Sequence, residues 1–241
     1  MTELSARFVE LYRCVETELE QRLSGRPRRH TSAVMEYLAS PESRPVRADL
    51  DVAREIRNII MHNADDNGEP VVEPSRGITD ALSRVLDYIN SPPLALTFAT
   101  TASEILYARI NDQALPLMRA MRKRGFSHVP IMDGERVNGV FSSQSLMSFI
   151  SDNPSVVIDA NTRLLTFEQY LPIDSHLPEQ YRFMAEGATL ADVKQAFEDK
   201  RERNSRLAAM FITRTGGASE PLLGMITPWD VLGGRGVELS Q

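Results

Sequence analysis

One pattern occurs twice in the sequence, and this duplication constrains the fold more than any other feature. Near the C-terminus, residues 224–232 read Gly-Met-Ile-Thr-Pro-Trp-Asp-Val-Leu. A weaker copy at residues 139–147 reads Gly-Val-Phe-Ser-Ser-Gln-Ser-Leu-Met. In both copies a short apolar run is typical of a strand, a Ser or Thr stands at a helix-capping position, and an apolar helix start follows. The sequence therefore predicts two strand–cap–helix units.

The second copy has the residues of a well-capped helix. Thr227 is a typical N-cap, Pro228 falls at the first helical position, and Asp230 falls at the third. From the third position a carboxylate can accept a hydrogen bond from the backbone N–H of the cap. The same residues also have a functional interpretation, because a helix N-terminus attracts phosphate and a carboxylate accepts hydrogen bonds from ribose hydroxyls. The pattern is compatible with both interpretations.

The residues around the two copies extend them into longer repeats. The first repeat has a predicted helix at 112–124, strands at 127–132 and 137–141 joined by an Asp133-Gly134 turn, and a helix from Ser142. The second repeat has a predicted helix at 189–201, strands at 207–213 and 222–226 joined by a hairpin at 215–219, and a helix from Thr227. Residues 152–180 form a long connection between the repeats, with one helix predicted at 164–170.

The residues before the repeats have only helical patterns. Apolar side chains recur at spacings of three and four over residues 3–24 and 78–89, and two further helices are predicted at 49–63 and after the Thr31-Ser32 cap. The sequence Ser91-Pro92-Pro93 then breaks the pattern. The predicted fold class is therefore α + (α/β), with an N-terminal all-helical bundle over residues 1–92 followed by a mixed domain.

Composition excludes several classes of protein. A chain of 241 residues with 42% hydrophobic content can form one large or two modest domains, and its net charge of -6 argues against a protein that coats nucleic acid. Cys14 is the single cysteine, so neither an internal disulfide nor a cysteine-cluster metal site is possible, and a reducing compartment is expected. No apolar segment approaches the roughly 20 residues of a membrane helix, and no signal-peptide pattern is present. We therefore expect a cytoplasmic protein without a metal site.

The repeated order of elements resembles a tandem pair of CBS domains of the βαββα type. The Val129-Pro130 pair, the Asp133-Gly134 turn and the Gly-x-x-Thr-x-x-Asp segment carry the resemblance, which covers about residues 95–235. It implies one repeat at 93–151, a connecting segment at 152–180 and a second repeat at 181–241. It also implies a cleft between the repeats that binds AMP, ADP, ATP or a related adenosyl ligand, with no cofactor required.

The resemblance assigns roles to residues of the second repeat. It implies that Thr227 contacts a phosphate or the ribose and that Asp230 holds the ribose hydroxyls. The adenine would lie against the strand at 207–211, which includes Ala208 and Met210.

In the first repeat Ser142 matches the hydroxyl position, but Ser145 stands where the family has a carboxylate. The resemblance therefore implies one competent site and one that is degraded or empty.

Several neighbouring residues allow two interpretations. Arg203 and Arg206 either bind a phosphate or complement the C-terminus of the preceding helix. Trp229 either stacks on a base or, as the favoured alternative, anchors the interface between the repeats. His128 is expected to be a structural residue of its strand.

The third helix carries the sequence Arg57-Asn58-x-x-x-His62. A helical bundle with this motif resembles the HEPN superfamily over about residues 3–90. The resemblance implies a metal-independent endoribonuclease that acts as a dimer, with Arg57, Asn58 and His62 as catalytic residues. A histidine with a pKa near neutrality can exchange a proton with a ribose hydroxyl, and an arginine can stabilise charge on the phosphate.

The spacing of this motif also supports a structural alternative. Residues five apart on a helix point about 140° away from each other, so Arg57 and His62 share a site only near a helix end or across a dimer. Alternatively, Arg57 pairs with Glu55 or Asp51 and His62 terminates the helix.

Three hypotheses for the function remain open. The chain is an adenine-nucleotide-binding regulatory protein whose ligand controls a dimeric helical domain, a nucleotide-regulated ribonuclease that acts on RNA, or a structural dimerisation module without a ligand. A homodimer is expected in each case, because both families associate in pairs and two-fold symmetry is common.

Overall fold

The computed structural model describes residues 2–25, 29–30, 32–62, 72–175, 179–199 and 205–232. The chain divides between Pro93 and Leu94 into two compact units. The first unit is helical, and the second contains both repeats.

The described residues of the first unit form four α-helices and a short 3-10 helix. The α-helices are α1 (Glu3–Arg22), α2 (Ala33–Ala39), α3 (Arg47–His62) and α4 (Arg76–Asn90), and the 3-10 helix spans Pro41–Ser43. Thr2 caps α1 and Ser75 caps α4, each through its side-chain oxygen. Ser32 is the N-cap of α2 but makes no side-chain capping bond, and Thr31 lies outside the described residues.

The core of the first unit comes from the apolar stripes of these helices. The stripe of α1 is buried against residues of the other three helices, because burial of apolar surface stabilises the packed arrangement. The fully buried side chains are Phe8, Val15, Leu19, Leu50, Leu82 and Val85. The helical bundle predicted from the spacing of apolar residues is therefore confirmed as a fold.

The second unit alternates short helices and strands. Its elements are α5 (Ala95–Phe98), β1 (Thr100–Thr101), α6 (Ala114–Arg124), β2 (His128–Asp133), β3 (Arg136–Ser142), α7 (Ser143–Asp152), β4 (Glu179–Ala185), α8 (Leu190–Glu198), β5 (Arg206–Thr213), β6 (Gly224–Ile226) and α9 (Pro228–Leu232). Two 3-10 helices lie between α7 and β4, at Leu164–Tyr170 and Ile173–Ser175.

Two sheets organise this unit. One has the order β1-β6-β5-β4, in which β4 and β5 are parallel and the other pairs are antiparallel. The other is the antiparallel pair β2-β3, and its turn has Gly134 at a φ of 59°, as expected for the predicted Asp-Gly hairpin. The element orders α6-β2-β3-α7 and α8-β5-β6-α9 match, so the predicted duplication is present in the fold.

The segment between the repeats differs from the sequence prediction. Residues 164–170 form a 3-10 helix, and β4 begins at Glu179 inside the predicted connection. The sequence pattern did not indicate this strand because three of its first four residues are polar, namely Glu179, Gln180 and Arg182. The apolar residues Tyr181 and Phe183 do follow the alternation that is typical of a strand. Strand β4 pairs with the buried strand β5, and the side chains of Tyr181 and Phe183 pack in the cluster between the repeats.

Three other predicted boundaries in the second repeat are also corrected. The strand predicted at 222–226 is shortened to β6, and residues 214–223 form a longer link than the tight hairpin predicted at 215–219. The helix predicted at 189–201 ends at Glu198, and residues 200–204 lie outside the described residues.

Three buried clusters hold the second unit together. One joins the first repeat, around Phe141, to the connecting segment, around Phe167. Another centres on Met210 and Ile226 of the second repeat and includes Ala95, Phe98 and Ala99. The third joins the repeats and contains Ile105, Val137, Val140, Tyr181, Ala208, Ala209, Phe211, Leu222 and Met225. No helix in the described part of the chain is long and apolar enough to span a membrane.

Candidate functional site

The start of α9 has the reciprocal capping geometry that the sequence predicts. The backbone N–H and the hydroxyl of Thr227 both donate to Asp230 Oδ2, each over 2.7 Å. The other oxygen of Asp230, Oδ1, makes no hydrogen bond with any residue that the structure describes. Asp230 is only half-buried. Because Oδ1 has no partner among these residues, it can accept a hydrogen bond from a ligand hydroxyl.

Thr227 and Asp230 lie on the wall of a cavity of about 340 Å³. The second repeat contributes Met225 and Trp229 to the same wall. The opposite wall comes from the first repeat and the segment before it, with the lining residues Thr100, Glu104, Ile105, Leu106, Arg124, Gly125, Phe126, Ser127 and His128. The cavity therefore combines residues of both halves of the second unit.

The cavity presents several kinds of chemistry to a ligand. Arg124 supplies a guanidinium group, and Glu104 and Asp230 supply carboxylates. The rings of Phe126 and Trp229 are 45% and 81% exposed. The favoured prediction that Trp229 anchors the repeat interface is wrong, because its ring is mostly in solvent. Base stacking, the other interpretation, stays a prediction.

The other predicted nucleotide-binding residues do not line this cavity. Ala208 and Met210 are 6% and 0% exposed, and their side chains belong to the buried clusters between and within the repeats. Ser142 is completely buried. Arg206 lies at the start of β5, and Arg203 lies outside the described residues. The structure thus separates Thr227 and Asp230 from the rest of the predicted set.

Ser142 caps α7 together with Ser145. The Ser142 hydroxyl accepts from the backbone N–H groups of Gln144 and Ser145, each over 3.1 Å, and the Ser145 hydroxyl accepts from the N–H of Ser142 over 3.1 Å. The serine at position 145 therefore completes the capping box without a carboxylate.

A cluster around Glu179 was not predicted from the sequence. Glu179 is 5% exposed, and its Oε1 lies 3.2 Å from His128 Nε2 and 3.5 Å from Arg206 Nη2. The Tyr181 hydroxyl donates to Glu179 Oε2 over 3.2 Å. The contact of His128 Nε2 is short, but its direction is not that of a hydrogen bond, so we describe it as a close polar contact. The four residues come from β2, β4 and β5, which explains why no local motif indicated the cluster.

The charge state of Glu179 follows from these contacts. Burial by itself raises the pKa of the carboxyl, but contact with His128 and hydrogen bonds from Ser142 and Tyr181 outweigh burial and lower the pKa to about 2. Burial, and then the charge of Glu179, raises the pKa of Tyr181. A buried carboxylate therefore lies ionised between the two repeats.

In the first unit, Arg57 contacts α1. Its Nη2 lies 3.4 Å from Glu16 Oε2, and its guanidinium carbon lies 5.4 Å from the centroid of the Tyr12 ring. The expected pairing with Glu55 or Asp51 is wrong, because Arg54 contacts both of those carboxylates. The side chain of Arg57 extends from α3 towards α1 and pairs there with Glu16.

The structure does not bring the whole Arg57-Asn58-His62 set together within one chain. Arg57 Nη1 donates to Asn58 Oδ1 over 3.4 Å. His62 is exposed at the end of α3, and no hydrogen bond or ion pair among the described residues joins it to Arg57. Burial and the charge of Glu16 raise the pKa of Tyr12 to about 12, so its hydroxyl is neutral at physiological pH.

Comparison with known families bears on the first repeat. Residues 85–152 match the CBS domain family model. This CBS match spans α6, β2, β3 and α7 and includes both Val129-Pro130 and Ser142, which confirms the resemblance for the first repeat. No curated protein sequence matches the chain.

Three solved structures that are similar to this chain contain bound ligands. CBSX2 in complex with AMP is 12% identical, covers 62% of this chain and 99% of its own, and has a TM-score of 0.44. CbpB in complex with c-di-AMP is 16% identical, with 65% and 95% coverage and a TM-score of 0.47. The CBS domain pair of MJ0100 with 5-methylthioadenosine and S-adenosyl-L-methionine is 13% identical, with 61% and 99% coverage and a TM-score of 0.43. Similarity at this level is too loose to assign residues or ligands.

Proposed function

We propose that the second unit is a tandem CBS-type pair that binds an adenine nucleotide in the cavity beside Thr227 and Asp230, and that this protein is regulatory. The observation that carries the proposal is that a single cavity presents a guanidinium group, two carboxylates and two exposed aromatic rings. The CBS match of residues 85–152 supports an adenosyl ligand, because that family commonly binds one.

The size and composition of the cavity fit a mononucleotide. Its volume of about 340 Å³ lies near the lower end of the roughly 300–1,000 Å³ typical of small-molecule sites. In our arrangement Asp230 accepts from a ribose hydroxyl through Oδ1, and Arg124 contacts a phosphate. The base then lies against Phe126 or Trp229 at the rim.

Calorimetric titration with AMP, ADP, ATP and c-di-AMP tests the proposal. We expect heat of binding with at least one mononucleotide. Asp230→Asn should weaken that binding by about 1–3 kcal/mol, the usual cost of removing one partner from a charged hydrogen bond. A titration without heat or thermal stabilisation for any of the four ligands would contradict nucleotide binding and would favour the structural dimerisation module.

The chain offers a matched control for this variant. Asp192 caps α8 with the same geometry, since the backbone N–H and the hydroxyl of Thr189 each donate to Asp192 Oδ2 over 2.7 Å. Asp192 does not line the cavity. Asp192→Asn should therefore cost stability similar to Asp230→Asn, about 1 kcal/mol for a weakened cap, but leave affinity unchanged. Equal loss of affinity in both variants would show that only the fold was disturbed.

The proposal also includes a homodimer whose helical units respond to the nucleotide. Such control requires that the ligand bind one arrangement of the dimer more tightly than the other. Sedimentation with and without AMP measures whether the ligand changes the association of the dimer. A dimer whose association constant changes on saturation is expected, and a monomer under both conditions would contradict this part.

The ribonuclease hypothesis stays a prediction about Arg57, Asn58 and His62. Its test is RNA cleavage by the whole protein, with and without nucleotide, for the natural chain and for His62→Ala. Because His62 is exposed, the substitution should leave the melting temperature unchanged. Equal cleavage by both proteins would point to a contaminating nuclease.

A further inference from the structure

The strand registers establish which residues of the two repeats are equivalent. Val129 faces Phe141 in the first repeat, and Met210 faces Ile226 in the second. When these two pairs are superposed, Ser142 becomes equivalent to Thr227, and His128 becomes equivalent to Ala209.

A second pair of contacts extends the match to the segments that precede α6 and α8. Ala108 forms a parallel bridge with Ile131, and Met184 pairs in parallel with Ile212. Counting back from Ala108 and Met184 matches Ile105 with Tyr181. The match ends there, because residues 102–104 form a turn and the register of β4 shifts between Gln180 and Tyr181.

This equivalence locates the counterpart of the Thr227 cavity. Residues 124–128 form one wall of that cavity, and their equivalents are residues 205–209, which include Arg206. Ile105 lines it as well, and its equivalent is Tyr181. The counterpart cleft therefore lies beside Ser142, with Arg206 and Tyr181 on its walls, and these are the residues that surround Glu179.

The Glu179 carboxylate makes the contacts that an anion in this cleft would make. Oε1 lies within 3.5 Å of Arg206 and 3.2 Å of His128, and Oε2 accepts from the Tyr181 hydroxyl. The Ser142 side chain at the start of α7 is close enough to lower the pKa of this carboxyl. Glu179 and Ser142 are 5% and 0% exposed. Polar side chains from three strands and one helix start therefore converge on Glu179.

We propose that Glu179 is an internal anion that fills the Ser142 cleft, so that this half of the protein accepts no external nucleotide. The other half has an open cavity beside Thr227. Two differences between the repeats thus act together, because Ser145 lacks the carboxylate that would hold a ribose and Glu179 supplies the anion that would otherwise come from a phosphate.

His128 connects the filled cleft to the open one. It contacts Glu179 through Nε2, and it also lines the Thr227 cavity. Its equivalent, Ala209, has no polar side-chain atom and is completely buried. A ligand that moves His128 in the open cavity therefore changes the contact between His128 and Glu179.

Chemical rescue of the intact chain tests the proposal. Glu179→Ala keeps Arg206 and Tyr181 but removes the carboxylate that they contact, so acetate should bind in the vacated space. Thermal unfolding is measured at neutral pH in sodium acetate and in sodium chloride of equal ionic strength. We expect Glu179→Ala to melt well below the natural chain, and acetate to raise its melting temperature by about 3 °C more than it raises that of the natural chain.

Glu220→Ala controls for a general effect of acetate on carboxylate variants. Glu220 accepts from the backbone N–H and hydroxyl of Thr215 over 2.7 and 2.6 Å, but it lies outside the cluster. Acetate should affect this variant no more than the natural chain. A rescue of equal size in Glu220→Ala, or none in Glu179→Ala, would overturn the proposal.

A second variant covers the case in which Glu179→Ala does not fold. Glu179→Ser replaces the carboxylate with a short uncharged side chain and leaves space for acetate. Recovery of folded Glu179→Ser on refolding should be several-fold higher in acetate than in chloride, and equal recovery would contradict the proposal. These measurements use no nucleotide, so their failure is distinguishable from failure of the Thr227 cavity to bind one.

Discussion

At the scale of single residues, Glu179 is a carboxyl that is both buried and ionised. Its pKa is lowered from 4.5 to about 2 in the folded chain. A carboxyl whose folded pKa is depressed contributes stability that is present above the unfolded pKa and is lost as the pH falls towards the folded pKa. The cluster should therefore stabilise the protein at neutral pH and weaken below about pH 4.5.

Glu179→Gln tests this linkage. The shift corresponds to a contribution on the order of 3 kcal/mol at neutral pH. In urea unfolding at several pH values between about 5 and 3, the natural chain should lose this contribution as the pH falls. The free energy of unfolding of Glu179→Gln should be lower at neutral pH and should depend less on pH. Parallel curves for the two proteins would contradict an ionised Glu179 in the folded state.

At the scale of elements, three helices begin with the same device. Ser142 and Ser145, Thr189 and Asp192, and Thr227 and Asp230 each form reciprocal N-terminal bonds. Residues at fixed short spacing determine such bonds, so the sequence predicts them well. The same holds for α1, α4 and the Asp133-Gly134 turn, where local periodicity or turn chemistry decides the structure.

The elements that the sequence did not reveal depend on contacts between distant residues. Strand β4 has an ambiguous local pattern and forms because it pairs with β5. Arg57 contacts Glu16, which is 41 positions away, in preference to its near neighbours. The cavity is similar in this respect: Thr227 and Asp230 were evident from the motif, but Arg124, Phe126 and Glu104 join them only through packing of the repeats.

Gly139 gives an element-scale prediction about β3. A Cβ atom at this position would lie 2.5 Å from the carbonyl oxygen of Leu171, which accepts a hydrogen bond from Val140. Gly139→Ala should force the 3-10 segment away from β3 and lower the free energy of unfolding by about 1–3 kcal/mol.

Gly187 provides the matched control for that variant. A Cβ there would meet nothing within 4 Å, and its φ is not positive. Gly187→Ala should leave stability unchanged or raise it by about 0.4–1 kcal/mol. Urea unfolding of the two variants measures the difference, and equal stability would contradict the close approach of β3 to Leu171.

At the scale of the whole molecule, the two units have separate cores. Leu82 belongs to the core of the first unit and Phe211 to a cluster of the second, and both are completely buried. A core of its own allows a unit to unfold as its own cooperative transition. The chain should therefore show two calorimetric transitions.

Two core variants assign these transitions. Leu82→Ala should lower only the melting temperature of the first unit, and Phe211→Ala only that of the second, because each removes about 2–5 kcal/mol from its own core. Nucleotide should raise the transition that Phe211→Ala lowers. A single transition that both variants lower equally would show that the units unfold together.

The central claim is that each chain binds one nucleotide, in the Thr227 cavity, while Glu179 fills the other cleft. Trp229 is the only tryptophan in the chain, lines the cavity, and is 81% exposed, so its fluorescence reports on that site alone. The most direct measurement is a titration with AMP at a protein concentration above the dissociation constant, followed by fluorescence and calorimetry together. We predict that both signals saturate at one AMP per chain. Calorimetric saturation at two per chain, or heat of binding without a change in Trp229 fluorescence, would contradict the account.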